Sequence, residues 1–317
     1  MVVPGVYLLT RNTIQGQYLL HPYAGGRFRD AGRRLRNQCG YLLAYCSAKY
    51  DIDVGAANYY SNHNHQVMAD RLCALPEFTR DHNALLARFV RFLRRSKGAV
   101  WEPGTGSCVE LTSPEAILGG IGYTIMQQVK DGVLDKLHHW DGLVTRPETL
   151  FEPQTFHKDE AFWRTEEQGG AMPDSVVLQV KPMPGLHEML GEHYQQGVID
   201  RCREIAKQMR GKPVLGRKAV RNISWHYLPA KPRVVRKRTI RTAKDGTESL
   251  DSPEHIRPRF TYRSRAEFVE QAGRHKRFAS DYRERRTDWL AGDTSSPWPY
   301  GTYFMCRRLG APQANPD

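Results

Sequence analysis

Predicted strands and helices alternate along the first half of the chain, and their order is the feature that most restricts its fold. Short runs of β-branched and aromatic residues predict strands, and apolar residues at helical spacing predict helices. In chain order these are strand 6–12, helix 27–51, strands 53–60 and 63–69, helix 75–96, strand 107–112 and helix 113–129. The order predicts an α+β, ferredoxin-like split β-α-β fold, an antiparallel sheet with helices on one face. RNA-recognition modules share this order, so the fold alone does not decide the function.

The last of these helices has a clear start signal. Ser113 is a suitable N-cap, Pro114 suits the first helical position, and Glu115 places a negative charge in the first turn. In helix 75–96 the apolar residues recur at helical spacing, so its arginines are expected on the remaining surface.

The second half of the chain is less regular. A proline-containing stretch without periodicity predicts a linker at 146–175, between a first domain at 1–145 and an accessory region at 176–317. The accessory region is expected to be basic, mainly helical and able to bind nucleic acid. Its predicted elements are a strand at 176–180 and helices at 191–210 and 265–290.

Positive charge dominates the composition and points to a polyanionic partner. The net charge is +13, the sequence pI is about 9.5, and residues 201–244 hold 15 Lys and Arg against one acidic residue. Nucleic acid is the most frequent partner of such a chain. No apolar run of membrane-spanning length occurs, and six cysteines without close spacing favour a reducing cytoplasm.

The residues expected to contact DNA lie on the predicted helices, the first strand and the basic run. Arginine and lysine bind phosphates with little sequence information. They are Arg11, Arg33, Arg34, Arg36, Arg91, Arg94, Arg95, Arg233, Arg236, Lys237, Arg238 and Arg241. Aromatic side chains near the basic segments are candidates for stacking on unpaired bases, namely Trp225, Tyr227, Phe260 and Tyr262.

Two histidines in a predicted strand suggest metal chemistry. His63 and His65 are separated by one residue, so a strand points both imidazoles to the same face. Two neutral imidazoles bind a divalent metal only with further ligands, and a bare pair of this kind is more often structural. Tyr123 and Gln127 lie one turn apart on a helix, so an amide oxygen is available beside a phenol. A cation that neutralises a scissile phosphate would help this otherwise poor nucleophile.

Several motifs resemble those of a known family. SNHNH at 61–65 resembles the metal motif of HUH-type single-tyrosine nucleases, and GYTIMQQVKDGVL at 122–134 resembles their nucleophile helix. The segments 6–20 and 101–111 resemble the opening strand and the approach to the fourth strand. Over residues 4–145 the chain is similar to REP-associated tyrosine transposases and related insertion-sequence transposases. The later part of the chain resembles the tail of a bacterial subgroup of these transposases that has long chains. The segments concerned are LGRKAV, DWLAGD and WPYGTYFMCRR.

The resemblance implies a reaction and a ligand set. Tyr123 would be the nucleophile, and His63, His65 and Gln127 would hold Mg²⁺ or Mn²⁺. The family nicks single-stranded DNA, keeps a 5′-phosphotyrosine link and releases a 3′-hydroxyl that can later rejoin the ends. The implied partner is hairpin DNA with a single-stranded flank, as in repetitive extragenic palindromes. A bacterial, nucleoid-associated location and a possible homodimer are implied as well.

Two residues depart from the family pattern. Asn64 replaces an apolar residue between the histidines, and Gln128 replaces the proline that usually follows the amide ligand. A domesticated protein that binds hairpin DNA or RNA without cutting it is therefore the alternative. A replication or mobilisation initiator would usually add a helicase domain or a second tyrosine. The letters HNH at 63–65 also name an unrelated class of nucleases. That class usually has a zinc-supporting frame, which the cysteine spacing of this chain does not provide.

Overall fold

The first half of the chain folds around a four-stranded antiparallel sheet with the order β2-β3-β1-β4. The computed structural model of the protein describes residues 3–104, 106–224, 240–242, 248–250, 259–262 and 264–315. The sheet and its helices are β1 Gly5–Asn12, α1 Ala31–Tyr50, β2 Ile52–Tyr59, β3 His63–Asp70, α2 Leu75–Arg94, β4 Ser107–Glu110, α3 Pro114–Ile125 and α4 Gln127–Lys130. The predicted α+β fold is confirmed, and so is the order of strands and helices along this half of the chain.

The later part of the chain adds two small hairpins and several helices. In order they are β5 Gln154–His157, β6 Ser175–Leu178, α5 Leu186–Leu190, α6 Tyr194–Gln208, α7 Arg217–Arg221, β7 Ile240–Thr242, β8 Glu248–Leu250 and α8 Arg265–Leu290. Short 3₁₀ turns occur at Ile14–Gly16, Leu137–His139, Pro147–Thr149 and Gly191–His193, and a π turn at Phe304–Arg308. No helix in the described ranges is long and apolar enough to cross a membrane.

The two faces of the sheet are covered by different helices. Met68 of β3 packs in the cluster formed with α1 and α2, whereas its neighbours Val67 and Ala69 pack in the cluster formed with α3 and α6. Successive strand residues point to opposite faces, so one strand serves both clusters. The helices α1 and α2 cover one face, whereas α3 and α6 lie on the other, so helices cover both faces and not only the one face that the sequence predicted.

Helix α3 begins where the sequence predicts. The Ser113 hydroxyl accepts a hydrogen bond from the Ala116 backbone N–H at 3.2 Å, and Pro114 occupies the first turn. This cap satisfies one of the backbone donors that a helix start leaves free. The start of α3 therefore fixes how far along the sheet its later turns reach.

The stretch predicted as a linker packs against α1 instead of running free. Trp163 donates its indole N–H to Gln38 Oε1 at 2.8 Å, and Arg34 forms an ion pair with the buried Asp159 at 2.6 Å. A Cβ at Gly40 would lie 2.4 Å from the Phe156 ring, so this glycine permits the ring to pack directly on the helix. The composition of 146–175 predicted an irregular linker, but burial of the aromatic rings orders the segment. The boundaries between the predicted domains stay a prediction.

The tail motifs form a packed turn after α8. Arg285, which is 5% exposed, donates to the backbone oxygens of Asp293 and Ser296, both at 2.9 Å. Its guanidinium lies 5.6 Å from the ring centroid of Trp298, which is itself 1% exposed. The DWLAGD and WPYGTYFMCRR segments therefore contribute residues to one buried turn.

The structure corrects the assignment of Arg94 to the DNA-binding surface. The side chain is 2% exposed, and burial lowers the pKa of its guanidinium to about 10. It donates hydrogen bonds at 2.5–3.1 Å to the backbone oxygens of Leu19, His21, Ala24 and Gly25. The helical pattern predicted Arg94 on the surface. In the structure the loop after β1 folds over the end of α2, and the Arg94 guanidinium holds that loop by donating hydrogen bonds to its backbone oxygens.

Replacing Arg94 should therefore destabilise the fold and not merely weaken DNA binding. Arg94→Met leaves four carbonyl oxygens without their donor, and we expect a loss of at least about 3 kcal/mol of unfolding free energy. Arg91→Met changes an exposed arginine on the same helix and should cost within about 0.5 kcal/mol. Urea unfolding at pH 7 measures both. Equal stabilities of the two variants would contradict the conclusion that Arg94 holds the loop after β1 in place.

Candidate functional site

Strand β3 and helix α3 bring the two histidines and the tyrosine together. The ring centroids of His63 and His65 are 4.7 Å apart. The ring centroid of His65 lies 5.0 Å from that of Tyr123, in an edge-to-face arrangement. Both histidines occupy odd positions of β3, which face α3, as Val67 and Ala69 do. The predicted grouping of these side chains is therefore present in the fold.

The hydrogen bonds of the histidines leave their outer nitrogens available. His63 Nδ1 lies 2.8 Å from Asn62 Oδ1, an acceptor, so Nδ1 carries the proton and Nε2 keeps its lone pair. His65 Nδ1 lies 2.8 Å from the Thr10 hydroxyl oxygen. His65 Nε2 is buried and has no hydrogen-bond partner in the described part of the chain. This pattern, one ring nitrogen held and the other free, is typical of metal-binding histidines.

Burial keeps both imidazoles neutral. Desolvation lowers the pKa of His63 to about 4. It also lowers the pKa of His65 to about 3, with smaller contributions from the charges of His63 and Lys130. Loss of water disfavours the charged form of an imidazole. At neutral pH each ring therefore carries one N–H and keeps a lone pair on its other nitrogen.

Gln127 presents a buried amide oxygen on the same side of the sheet. Its Nε2 donates to Asp131 Oδ2 at 2.8 Å, which fixes the orientation of the amide. Its Oε1 is buried and accepts no hydrogen bond from any described residue. Burial raises the pKa of Asp131. Burial, together with the charge of Asp131, also raises the pKa of Tyr60. The Tyr60 ring packs against His63, with ring centroids 4.9 Å apart.

The donor set fits a divalent cation. Amide oxygen and water are usual ligands of Mg²⁺ and Mn²⁺, and neutral imidazoles are usual ligands of divalent first-row metals, so the mixed set suits a divalent cation. The unpartnered His65 Nε2 and Gln127 Oε1 are buried polar atoms whose burial costs free energy unless something satisfies them. Within the described ranges, no group of three or more His, Cys, Asp and Glu residues forms an alternative metal site.

Gln128, which departs from the family pattern, has a structural role. Its Nε2 donates to Asn58 Oδ1 at 2.7 Å, and Asn58 Nδ2 donates back to Gln128 Oε1 at 3.0 Å and to the Thr124 backbone oxygen at 2.7 Å. Both amides are completely buried. The pair fastens the end of α3 to β2 and so holds the adjacent Gln127 in place.

A cleft of about 700 Å³ opens in front of Tyr123 and carries two cations that the sequence did not identify. Lys130 lies on the short helix α4, and its Nζ is 4.0 Å from the Tyr123 ring centroid. Arg259 lines the same cleft from the accessory region. Lys130 follows Tyr123 by seven positions, which is about two helical turns. This spacing could have indicated that Lys130 lies near Tyr123.

Arg259 reaches the cleft because its segment adds to the free edge of β4. The Glu110 N–H donates to the Arg259 backbone oxygen at 2.8 Å, and the Thr261 N–H donates to the Glu110 oxygen at 2.9 Å. An ion pair between Arg274 of α8 and Glu110 fastens the same edge. Strand edges with free N–H and C=O groups favour such additions. No local pattern could have predicted this long-range pairing.

The other predicted DNA contacts are dispersed. Arg36, Arg91 and Arg95 are exposed, and Arg33, whose side chain is 83% exposed, pairs with Asp30. Arg34 is engaged by Asp30 and Asp159, and Arg11 lies on the face of β1 opposite to Tyr123. Arg233, Arg236, Lys237, Arg238, Trp225 and Tyr227 lie outside the described residues, as does the side chain of Arg241.

The two described aromatic candidates differ in their exposure. Phe260 is 6% exposed and packs against His275, with ring centroids 5.3 Å apart. Tyr262 is 50% exposed and so has a free face. Of these two, only Tyr262 has the surface that base stacking requires.

No family model and no curated protein matches the chain. The chain is similar to a solved structure described as a REP-associated tyrosine transposase bound to a REP hairpin, at 13% identity and a TM-score of 0.30. The match covers 44% of this chain and 75% of the other. Similarity at this level leaves the assignment of function to the side chains, and the homodimer stays a prediction.

The amide pair between Asn58 and Gln128 should act as one unit. Gln128→Met and Asn58→Ala each leave a buried amide group without its partner, and we expect each to lose about 2 kcal/mol of unfolding free energy. The double variant should lose at least about 1 kcal/mol less than the sum of the two. Denaturant unfolding measures the cycle, and Gln208→Met on the exposed surface of α6 is the control. Additive losses would show that the two side chains act independently.

Proposed function

We propose that the protein is a metal-dependent, single-stranded DNA endonuclease and strand transferase of the transposase type, with Tyr123 as its nucleophile. One observation carries the proposal. The Tyr123 ring lies against His65, whose Nε2 is buried without a partner among the described residues, as is the Oε1 of Gln127. A phenol beside an unpartnered imidazole nitrogen and an unpartnered amide oxygen suits phosphoryl transfer better than packing alone.

His63, His65 and Gln127 would hold Mg²⁺ or Mn²⁺. The hydrogen bonds that His63 and Gln127 donate to Asn62 and Asp131 orient two of these ligands. A hydrogen bond with the Thr10 hydroxyl orients His65. Oriented ligands bind metal more tightly because less freedom is lost on binding. The cation would supply neutralisation of the scissile phosphate and alignment of its oxygens.

The reaction exchanges one phosphodiester for another. The Tyr123 hydroxyl oxygen attacks phosphorus, the bond between phosphorus and the 3′-oxygen breaks, and a 5′-phosphotyrosine forms. The phenol loses one proton and the departing 3′-oxygen gains one, so atoms and charge balance. In the reverse direction a 3′-hydroxyl attacks the phosphotyrosine and restores a DNA linkage. No nucleotide hydrolysis is needed because the covalent link conserves the bond energy.

Lys130 and Arg259 would hold the DNA strand in the cleft. Both cations line the approach to Tyr123, where they stabilise the phosphates on either side of the scissile bond. Hairpin DNA with a single-stranded flank is the proposed substrate, since the flank can enter the cleft unpaired.

A silent hairpin-binding protein is the second candidate, because Lys130 and Arg259 would bind DNA without any metal. The two departures from the family pattern do not favour it. Gln128 is satisfied by Asn58, and Asn64 points to the face of the sheet opposite to Tyr123. Neither residue therefore disturbs the grouping of His65 and Tyr123.

A covalent adduct assay tests the proposal. The full chain is mixed with end-labelled hairpin oligonucleotides that carry single-stranded flanks, in Mg²⁺ or Mn²⁺. We expect a denaturation-resistant protein–DNA adduct that disappears with chelator and in Tyr123→Phe, because the attacking oxygen is then missing. Tyr262→Phe is the control that removes a hydroxyl outside the cleft and should leave the adduct. DNA binding without an adduct in either metal would favour the silent binder.

Metal binding should resist acidification. Because burial lowers the pKa values of His63 and His65 to about 4 and about 3, both stay neutral well below pH 6. We expect Mn²⁺ affinity to change little between pH 7.5 and 5.5, whereas two ordinary imidazoles would lose about a hundredfold. Electron paramagnetic resonance of free Mn²⁺ measures the affinity, with His63→Ala/His65→Ala as the variant without a site. A hundredfold loss over that range would contradict the buried, neutral ligands.

A further inference from the structure

A second cavity lies on the face of the sheet opposite to Tyr123. Its volume is about 190 Å³, and it is formed between β1, β3, β4 and the middle of α2. The even-numbered residues of β3, Asn64 and Gln66, point into it, directly behind the histidines. Asn83 and His82 of α2 line the other side, and Arg11 of β1 lies at one end.

Part of the polar lining is satisfied internally. The Tyr59 hydroxyl lies 2.7 Å from His82 Nε2, and Gln66 Nε2 donates to the same hydroxyl at 2.9 Å. Burial lowers the pKa of His82 to about 4, so this network is uncharged at neutral pH. The network holds Gln66 in a fixed orientation at the cavity wall.

Two donors in the cavity remain unused. Asn64 is 2% exposed, and its Nδ2 has no hydrogen-bond partner in the ranges the structure describes. The same holds for Arg11 Nε. Leaving a buried donor unsatisfied costs about 1–3 kcal/mol, so these groups indicate a ligand or solvent that completes them. One water, with a share of liquid volume of about 30 Å³, does not fill the space.

The volume and lining of the cavity suit a small ring with polar edges. Leu9 and Cys108 provide apolar wall, and amide groups of Asn64, Gln66 and Asn83 provide donors and acceptors along the rim. Paired amide donors and acceptors are the groups that read the edges of unpaired bases. We propose that this cavity, the Asn64 pocket, binds one unpaired nucleobase of the same DNA strand whose phosphate lies at Tyr123. The proposal rests on the proposed function.

The pocket and the cleft adjoin at one end of the sheet, where they share lining residues. Both are lined by Thr10, Gly106, Ser107 and Cys108, where β1 ends and β4 begins. A Cβ at Gly106 would lie 3.0 Å from Arg11 Nη1, so the glycine keeps this passage narrow but free of side chain. A strand that crosses here would place one nucleotide at Tyr123 and a neighbouring one in the Asn64 pocket.

The pocket is a property of this particular chain. An apolar residue at position 64 would fill the wall and remove the unpaired donor, and Asn64 is one of the two departures from the motif that the chain resembles. The substitution therefore changes the strand on the face away from the metal ligands, where it alters recognition and not the chemistry.

A binding experiment with abasic DNA tests the pocket without requiring cleavage. Full-length Tyr123→Phe protein, in chelator, is titrated with hairpin oligonucleotides that carry one abasic nucleotide at each flank position in turn. At one position we expect about a tenfold loss of affinity, the effect of losing one base contact. In the Asn64→Leu/Tyr123→Phe protein the same abasic nucleotide should cost less than about twofold. Because metal is absent, an effect of Asn64→Leu on the adjacent histidines does not enter the result.

Two further variants keep the result interpretable. Asn83→Ala removes a rim amide from α2 and should abolish the abasic effect at the same position, also if Asn64→Leu fails to fold. Asn222→Leu, an exposed matched change, should leave the tenfold effect intact. Equal abasic losses in all four proteins would overturn the pocket. If the unmodified protein forms the adduct but all four proteins lose the same affinity for abasic DNA, the proposed function stands and the pocket is rejected. If the affinity loss depends on Asn64 but the unmodified protein forms no adduct, the pocket stands and the nuclease is rejected.

Discussion

The buried amide pair between Asn58 and Gln128 is the interaction on which the candidate site depends. It joins β2 to the junction of α3 and α4, one residue from Gln127 and five from Tyr123. Helix α3 has little else that is directional in its contact with the sheet, because its buried side chains are mostly aliphatic. Apolar packing tolerates sliding, whereas a reciprocal pair of amide hydrogen bonds fixes one register. The position of the phenol over His65 follows from that register.

Strand β3 divides the molecule into two chemical environments. Its odd residues put His63 and His65 under α3, in a neutral, desolvated setting next to a basic cleft. Its even residues put Asn64 and Gln66 under α2, in an uncharged polar setting. The period of two in a strand is sufficient for this separation. A strand that contacted both faces would therefore meet charge on one side and fixed hydrogen-bonding groups on the other.

The accessory region contributes to the site through backbone pairing. The free edge of β4 is completed by the segment that carries Arg259, and the ion pair between Arg274 and Glu110 holds α8 beside it. An edge strand left bare would expose unpaired N–H and C=O groups. Covering it stabilises the sheet and at the same time delivers a cation to the cleft, so the second half of the chain is part of the site's surroundings.

The sequence by itself determined the strands and helices of the first half and the pairing of His63 with His65, because periodicity of two and of 3.6 is local information. The resemblance of its motifs, and not periodicity, suggested Tyr123 as the neighbour of these histidines. It did not determine which arginines are free. Arg94 has the same helical neighbourhood as Arg91, yet a loop from a distant part of the chain encloses it. Composition likewise predicted a linker where aromatic side chains pack on α1. The tertiary structure alone decided that α3 lies opposite α1 and α2, that Gln128 pairs with Asn58, and that Arg259 reaches the cleft, since each depends on contacts between residues far apart in the chain.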